Sequence, residues 1–256
     1  GHIRRPTHRN TTWDLARDEV AAQKWVDVSQ TDYGLALLND CKYGHKVKAG
    51  PRSGAPVLDL NLLRSVPYPG PRLVQDADVA PGEPHHAYTD QCDHRFSYAL
   101  YPHSGDCVAG GVVRAGYELN VPLRVRSLAS RPGQELGDRA ACLLSVDAAN
   151  VLIEAVKRAE DLGPGESAWI VRLYECHGAG AHAELRAGFP IDEAAETNLM
   201  EEVLASLPVR ENRVQVHLRP FEVKTVRLIP MNKETEPRFS GTCQALYAQS
   251  NRHREQ

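Results

Sequence analysis

The segment RVQVHL (residues 213–218) alternates polar and apolar side chains, so that Val214, Val216 and Leu218 fall on one side of an extended chain. Successive side chains of a β-strand point to opposite faces of its sheet. The alternation therefore predicts a half-buried strand with its apolar side chains in a core.

Short β-type runs recur along most of the chain and are separated by glycine and proline. They do not alternate with helical patterns, so packed antiparallel sheets are favoured over a parallel α/β fold. The sequence thus predicts an all-β protein. The other predicted strands are residues 33–38, 57–63, 95–101, 112–121, 151–156, 169–174 and 223–229.

Other segments depart from the strand pattern. Residues 12–26 and the Ala-, Glu- and Leu-rich residues 193–207 favour helix by local propensity. Residues 67–84 are rich in proline, glycine and aspartate and predict a loop. Residues 127–137 resemble a connector between two domains, and the polar chain after Ile229 is expected to fray.

Composition restricts the function classes. With 42% apolar and 25% charged residues the chain is typical of a globular protein. A net charge of -3 without a Lys/Arg-rich run argues against a nucleic-acid partner. No window approaches the roughly 18–20 apolar residues that span a bilayer, so no membrane partner is expected. The start, GHIRRP, lacks a signal-peptide core and an initiator methionine, which suggests a fragment.

The six cysteines are scattered without a CxxC pair. A chain of this length can bury enough core to fold without disulfides, so free thiols and a reducing compartment are favoured. Three disulfides in a secreted protein are the alternative. The cysteines are Cys41, Cys92, Cys107, Cys142, Cys176 and Cys243.

A cluster of potential metal ligands lies between residues 85 and 103. Zinc sites usually show tightly spaced ligand pairs, whereas these residues straddle a loop and a strand without such spacing. A structural role is therefore favoured over an adventitious or a catalytic metal. The residues are His85, His86, Asp90, Cys92, Asp93, His94 and His103.

The sequence marks out no catalytic residue. It has no GxSxG elbow, and Gly110-Gly111 is too short to be a phosphate-binding loop. A glycosidase would need two carboxylates about 5–5.5 Å apart for retention, and nothing identifies such a pair among the 33 acidic residues. Opposite charges in residues 156–161 and 172–175 are interpreted as structural, because adjacent strands could pair them across a sheet.

The most suggestive segment is NDCKYG (residues 39–44), which follows an apolar run and reaches a glycine. Loops at strand ends commonly carry binding groups. Asn39, Asp40, Lys42 and Tyr43 offer an amide, a carboxylate, an ammonium and a phenol, which are groups that recognise sugars. The alternative is an Asx-type turn in which Asp40 and Lys42 are merely solvated and Tyr43 covers the core.

At these same residues the sequence resembles glycoside hydrolase family 38, the class II α-mannosidases, especially their cytosolic/vacuolar branch and bacterial relatives. No single stretch is diagnostic, but their order is specific, and they cover roughly residues 5–229. The matching stretches are RPTH (5–8), NTTWD (10–14), GLALLNDCKYG (34–44), LNLLRS (60–65), FSYALYPH (96–103), YELNVPL (117–123), KRAED (157–161) and RLYE (172–175).

The resemblance implies a retaining hydrolase of α-mannosides in oligomannose glycans. Members use a divalent metal, usually zinc, and an Asp nucleophile, both housed in an N-terminal α/β barrel that precedes a helix bundle and β-sandwiches. This chain matches only the sandwich part. No position therefore inherits a catalytic or metal-binding role, and zinc is expected in the missing catalytic domain.

The resemblance also implies a domain plan. Residues 1–135 would be the C-terminal part of a large, galactose-mutarotase-like supersandwich that is truncated at its start. Residues 136–230 would be a small β-sandwich and residues 231–256 a polar tail. Expected partners are the N-terminal catalytic domain, mannose-containing oligosaccharide through the parent enzyme, and a second copy of the chain. A cytoplasmic location is expected, with a vacuolar or lysosome-like compartment as an alternative.

The family's large sandwich contributes to the rim of the sugar site, which favours a substrate role for the loop at 39–44. The alternative function is an autonomous carbohydrate-binding or purely structural module. The resemblance also replaces the helix predicted at 12–26 with mostly extended chain. Two departures are notable: Cys92 stands where a glycine is usual and would be strained at positive φ, and Asp18 replaces an aromatic residue.

Overall fold

The computed structural model of the protein describes residues 1–50, 55–68, 87–125, 142–163 and 166–231. The described chain consists mainly of antiparallel strands, which confirms the all-β class. It divides into two units, Arg4–Leu128 and Ala129–Gln256 with Gly1–Ile3. The predicted boundary at 135/136, the connector at 127–137 and most of the predicted loop at 67–84 and tail at 231–256 lie outside the described residues.

The described residues of the first unit form two short helices and three antiparallel sheets. The sheets have the strand orders β1-β4-β5, β2-β3-β8 and β6-β7. The strands are β1 (Val20–Ala21), β2 (Trp25–Ser29), β3 (Tyr33–Asn39), β4 (Gly44–Ala49), β5 (Pro56–Leu60), β6 (Pro67–Tyr68), β7 (Ala87–Tyr88) and β8 (Tyr98–Ser104); the helices are α1 (Thr12–Ala16) and α2 (Val112–Asn120).

Helix α2 packs on one face of the β2-β3-β8 sheet. Val112 contacts Ala36 and Leu38 in a small core. Gly116 lets the helix approach closely, since a Cβ atom there would lie 2.9 Å from Trp25 Cδ1. The strand predicted at 112–121 is therefore wrong. The apolar residues of segment 112–121 recur at a spacing that fits a helix as well as a strand. Packing of one helical face on the sheet favours the helix over the strand.

The same sheet carries two contacting polar side chains that are almost fully buried, His103 on β8 and Asp27 on β2. The His103 Nε2 atom lies 2.8 Å from Asp27 Oδ1, and the two side chains are 3% and 5% exposed. The ring crosses the intervening strand over Gly34 and packs against Gly110. A Cβ atom would lie 2.6 Å from His103 Nε2 at Gly34, and 2.8 Å from His103 Cβ at Gly110. Both glycines thus make room for the ring.

The opposite face of the β2-β3-β8 sheet carries exposed apolar side chains. Tyr33 and Leu35 of β3 are 61% and 44% exposed, and Tyr98 and Leu100 of β8 are 58% and 65% exposed. These four residues are called the open face below. Apolar surface that is contiguous across neighbouring strands usually marks a contact surface.

The second unit is a β-sandwich. Its sheets have the strand orders β10-β11-β17-β13-β14 and β15-β16-β12-β9. The inward-facing side chains of both sheets form one core, which includes Leu173, Leu185, Val214 and Leu228. The strands are β9 (Leu144–Val146), β10 (Val151–Arg158), β11 (Trp169–Glu175), β12 (Ala181–Ala187), β13 (Ile191–Thr197), β14 (Val203–Leu207), β15 (Val209–Arg210), β16 (Arg213–Leu218) and β17 (Val223–Pro230).

Most predicted strands are found. The predicted strands at 33–38, 151–156, 169–174, 213–218 and 223–229 correspond to β3, β10, β11, β16 and β17. The predictions at 57–63 and 95–101 overlap β5 and β8 but are displaced along the chain. Strands β10 and β11 pair with each other. Lys157, however, forms ion pairs with Glu160 of its own segment and with Glu201, and not with residues 172–175.

The helix predicted at 193–207 is wrong, because this segment forms strands β13 and β14 joined by a hairpin. Strand β13 also pairs with β17, and it buries Ile191, Ala194 and Thr197. Tertiary pairing thus overrides the helix preference of the Ala- and Glu-rich sequence.

Glu175, at the end of β11, is fully buried and accepts hydrogen bonds from surrounding backbone. Its Oε2 atom accepts the backbone N–H groups of Gly178, Ala179 and Phe221 at 2.8, 3.2 and 2.8 Å. Its Oε1 atom accepts His177 N–H at 2.9 Å and Asn150 Nδ2 at 3.0 Å. Burial raises the pKa of Glu175, but these donors outweigh it and leave that pKa below its usual value.

The first segment is partly helical and partly extended. Thr11 and Asp14 form a capping box at the start of α1, and β1 and the first two residues of β2 complete residues 12–26. Asp18, which stands where an aromatic residue is usual in the family, forms ion pairs with Arg9 and Lys46. Its contacts are therefore electrostatic, whereas an aromatic residue would pack.

The turn before β8 has its positive φ at Asp90 (57°) and not at Cys92, so the strain considered for Cys92 is absent. The described cysteines Cys92, Cys107 and Cys142 are free thiols. Within the described ranges, no helix is long and apolar enough to cross a membrane.

Candidate functional site

The predicted loop lies between β3 and β4, and these strands belong to two different sheets of the first unit. Asn39 is the last residue of β3 and Gly44 is the first residue of β4. Residues 40–43 therefore carry the chain from one sheet to the other, and both ends of the loop are fixed by strand pairing.

Asn39 belongs to the framework of the loop. It is 1% exposed, and its Oδ1 atom accepts the backbone N–H of Lys42, three residues further on, at 2.9 Å. Its backbone oxygen accepts Asn120 Nδ2 at 3.0 Å from the end of α2. With its amide group buried and engaged, Asn39 positions the loop and is not available to a ligand.

Asp40 joins the loop to the chain that enters β8. Its Oδ2 atom accepts the Ser97 N–H at 3.0 Å, and its own N–H donates to the Ser97 oxygen at 3.2 Å. Burial raises the pKa of Asp40, but the Ser97 hydrogen bond and a contact from Cys41 hold that pKa below its usual value. The ionised Asp40 carboxylate thus joins the loop to the segment that enters β8.

Lys42 and Tyr43 point away from this framework. The Lys42 ammonium lies 5.1 Å from the centre of the Phe96 ring, a cation–π contact that orients it. Phe96 in turn stacks on Tyr98 with ring centres 6.4 Å apart. Tyr43 is 53% exposed, so it does not cover the core as the turn interpretation assumed. The loop therefore presents an ammonium that lies over the Phe96 ring and an exposed phenol.

His45, on β4, contacts the backbone and the Asn39 side chain of the loop. No role for it was predicted from the sequence. It is fully buried, with Nδ1 3.0 Å from the Tyr43 oxygen and Nε2 3.4 Å from Asn39 Nδ2. Burial lowers the pKa of His45. A histidine at the second position of a strand gives no sequence signal for such a role, because burial of β4 depends on the neighbouring segments.

The described members of the metal-like cluster do not converge. His94 Nε2 lies 3.0 Å from the Asp90 oxygen and 3.8 Å from Cys92 Sγ within one exposed turn, whereas His103 is buried with Asp27. His85 and His86 lie outside the described residues. Across the described part of the chain, no group of three or more His, Cys, Asp or Glu residues could hold a metal ion.

Comparisons with known proteins complete this picture. Residues 1–72 match the family model "Glycosyl hydrolases family 38 C-terminal domain", and residues 150–226 match "Glycosyl hydrolases family 38 C-terminal beta sandwich domain". The chain belongs to glycoside hydrolase family 38. It represents the C-terminal region of that family, and the two matched segments fall in the first and second units.

Individual proteins named alpha-mannosidase also match this chain. Alpha-mannosidase 2C1 of Mus musculus is 37% identical over 231 residues, and that of Homo sapiens is 38% identical over the same length. In each case the match covers 90% of this chain and 20% of the relative, so the chain spans about a fifth of its relatives' length.

A crystal structure of an alpha-mannosidase from Enterococcus faecalis V583 shares the fold with a TM-score of 0.62. Its sequence identity is 21%, and the match covers 87% of this chain and 22% of that chain.

Proposed function

We propose that the chain is part of a retaining α-mannosidase that hydrolyses α-D-mannosides of oligomannose glycans. The observation that carries the proposal is the 37–38% identity to proteins named alpha-mannosidase 2C1 along 90% of the chain. Both family models that match describe C-terminal domains. We therefore expect the chain alone to be inactive and the parent protein to be a glycosidase.

The zinc that the family resemblance implies does not fit the described residues, since they contain no group of three or more potential ligands. We place it, with the Asp nucleophile, in the catalytic barrel of the parent enzyme. The chain's own contribution in this proposal is to pack on that barrel and to form part of the rim of the sugar site.

Lys42 and Tyr43 are the residues that best fit a rim. Both side chains leave the loop framework, and Phe96 holds the Lys42 ammonium in place. An ammonium and a phenol can hydrogen-bond to sugar hydroxyls. Asn39 and Asp40 position them through the hydrogen bonds that they accept from the backbone N–H groups of Lys42 and Ser97.

The test uses the full-length parent enzyme with Lys42→Ala and Tyr43→Phe. Each lost hydrogen bond to substrate should raise KM for an oligomannose substrate about 3- to 10-fold and leave the melting temperature nearly unchanged. Asp40→Ala, which removes the acceptor of the Ser97 N–H, should by contrast lower the melting temperature. Unaltered kinetics of both rim variants would leave the loop with only a structural role.

The open face suggests where the chain meets the rest of its parent. Tyr33, Leu35, Tyr98 and Leu100 expose apolar surface, and the chain spans about a fifth of its relatives' length. We assign the catalytic domain of the parent to this face. The isolated chain should therefore self-associate through it and sediment as a homo-oligomer whose mass rises with concentration.

Two measurements on the isolated chain separate this function from an autonomous carbohydrate-binding module. Aryl α-mannoside turnover should be absent with and without added zinc, and clear zinc-dependent turnover would place catalytic groups in this chain. Isothermal titration with mannose oligosaccharides should be silent, whereas saturable binding would favour the autonomous module. A cytoplasmic location belongs to the proposal and accords with the free thiols of Cys92, Cys107 and Cys142.

A further inference from the structure

Two histidines face each other on the solvent side of the small sandwich. His182 of β12 and His217 of β16 are directly opposed in the antiparallel pairing. Their ring centres are 4.6 Å apart and the ring planes are inclined by 50°. Both side chains are exposed, whereas their strand neighbours Ala181, Ala183, Val216 and Leu218 are buried.

The backbone under the pair is fixed. Strands β12 and β16 pair continuously over six positions, and their inward side chains belong to the sandwich core. Side chains at directly opposed positions have Cβ atoms about 4.5–5.5 Å apart. Two imidazoles at that spacing can rotate to place one nitrogen each in adjacent coordination positions of a single ion. Because the fold already holds the two imidazoles side by side, binding an ion requires little further loss of conformational entropy.

The surroundings determine what kind of ion fits. The nearest acidic residue along β12 is Glu184, and its carboxylate is engaged by Arg213 at 3.1 Å and Gln215 at 2.9 Å. The protein thus offers two nitrogen ligands, and water would complete the shell. Imidazole suits Cu²⁺, Ni²⁺ and Zn²⁺, whereas Mg²⁺ and Ca²⁺ prefer oxygen ligands.

We propose that His182 and His217 form a two-histidine site for a divalent transition-metal ion. This proposal does not depend on the proposed glycosidase activity. Because the ion would link β12 to β16 only in the folded sandwich, its binding stabilises that unit.

The experiment titrates the full chain with Ni²⁺ by isothermal calorimetry at about pH 7.5, where metal binding competes little with protons. His182→Ala and His217→Ala should each weaken binding by at least about 10- to 100-fold, the loss seen when even an outer-shell partner of a metal ligand is removed. The double variant should bind no more tightly than either single variant, because both residues serve one site. His8→Ala, at an exposed histidine of the first unit, is the matched control and should bind like the unmodified chain.

A second readout is thermal stability. Saturating Ni²⁺ should raise the melting temperature of the second unit in the unmodified chain and in His8→Ala, but not in either pair variant. Mg²⁺ should have no effect. Equal Ni²⁺ affinity in His182→Ala, or a loss in only one of the two single variants, would overturn the shared site. Circular dichroism without metal checks that the exposed substitutions leave the fold intact.

Discussion

Replacing Glu175 with glutamine removes the charge from a buried carboxylate that accepts five hydrogen bonds. Four of the donors are backbone N–H groups, which cannot turn away without moving the loops after β11 and before β17. The substitution preserves the volume of the side chain. Its effect should therefore come from charge and hydrogen bonding and not from a cavity.

The magnitude follows from the two oxygen positions. The best placement of glutamine puts its carbonyl at the Oε2 position, where it keeps Gly178, Ala179 and Phe221. Its NH₂ group then faces the His177 N–H, and a buried donor without an acceptor costs about 1–3 kcal/mol. The three retained hydrogen bonds also become neutral and lose part of their charge-assisted strength. Together we expect the free energy of unfolding to fall by about 3–5 kcal/mol.

The assay is urea unfolding and thermal melting, followed by circular dichroism and tryptophan fluorescence. Trp169 lies in the second unit and is 8% exposed, so it reports on this sandwich. A loss of this size should lower the melting temperature of a unit of about 100 residues by at least about 12 °C. The transition of the first unit provides an internal reference, since Glu175 makes its hydrogen bonds within the second.

Glu193→Gln is the matched control for this experiment. It makes the same chemical change at an exposed position of β13, where surface substitutions usually stay within about 0.5 kcal/mol. If Glu175→Gln unfolds like this control, the five hydrogen bonds do not hold the loops together and the reasoning is refuted.

Three further predictions test other features. The pKa of Glu175 is lower in the folded than in the unfolded state. The stabilisation that its ionised form provides is therefore present above the unfolded pKa of about 4.3 and is lost as pH falls through the folded pKa. Urea unfolding at a series of pH values should show this loss of stability in the unmodified chain and not in Glu175→Gln. Gly34→Ala should lower the free energy of unfolding of the first unit by about 1–3 kcal/mol, because the new methyl group overlaps the His103 ring, and an unchanged melting temperature would contradict this crowding. Leu35→Lys with Leu100→Lys should shift the isolated chain toward monomer in sedimentation velocity, and an oligomer of unchanged mass would show that the open face is not the contact.

The sequence predicted the fold best where one pattern allowed one structure. Residues 213–218 alternate strictly, and β16 buries Val214, Val216 and Leu218 as expected. Residues 112–121 were ambiguous because valines favour strands while their spacing also fits a helix. Contact with Trp25, which is remote in sequence, decides between them. Likewise, pairing of β13 with β17 outweighs the helix preference of residues 193–207.

The loop at 39–44 could be located from sequence because an apolar run precedes it and a glycine ends it. The roles inside it could not be assigned, since they depend on residues that are distant along the chain. Asp40 is fixed by Ser97, 57 positions away, and Asn39 by Asn120, 81 positions away. Without those partners, the four polar side chains look equivalent, whereas the structure separates two framework residues from Lys42 and Tyr43.

The packing of His103 between two glycines has a consequence for how this protein can diverge. A larger residue at Gly34 or Gly110 meets an imidazole that is held by Asp27, so such a change is harmful as long as His103 is present. Once a smaller side chain replaces His103, space opens and either glycine can become alanine. The order of substitutions therefore matters. Lineages that exchange the histidine first can later lose the glycines, while the reverse route passes through a poorly folded intermediate.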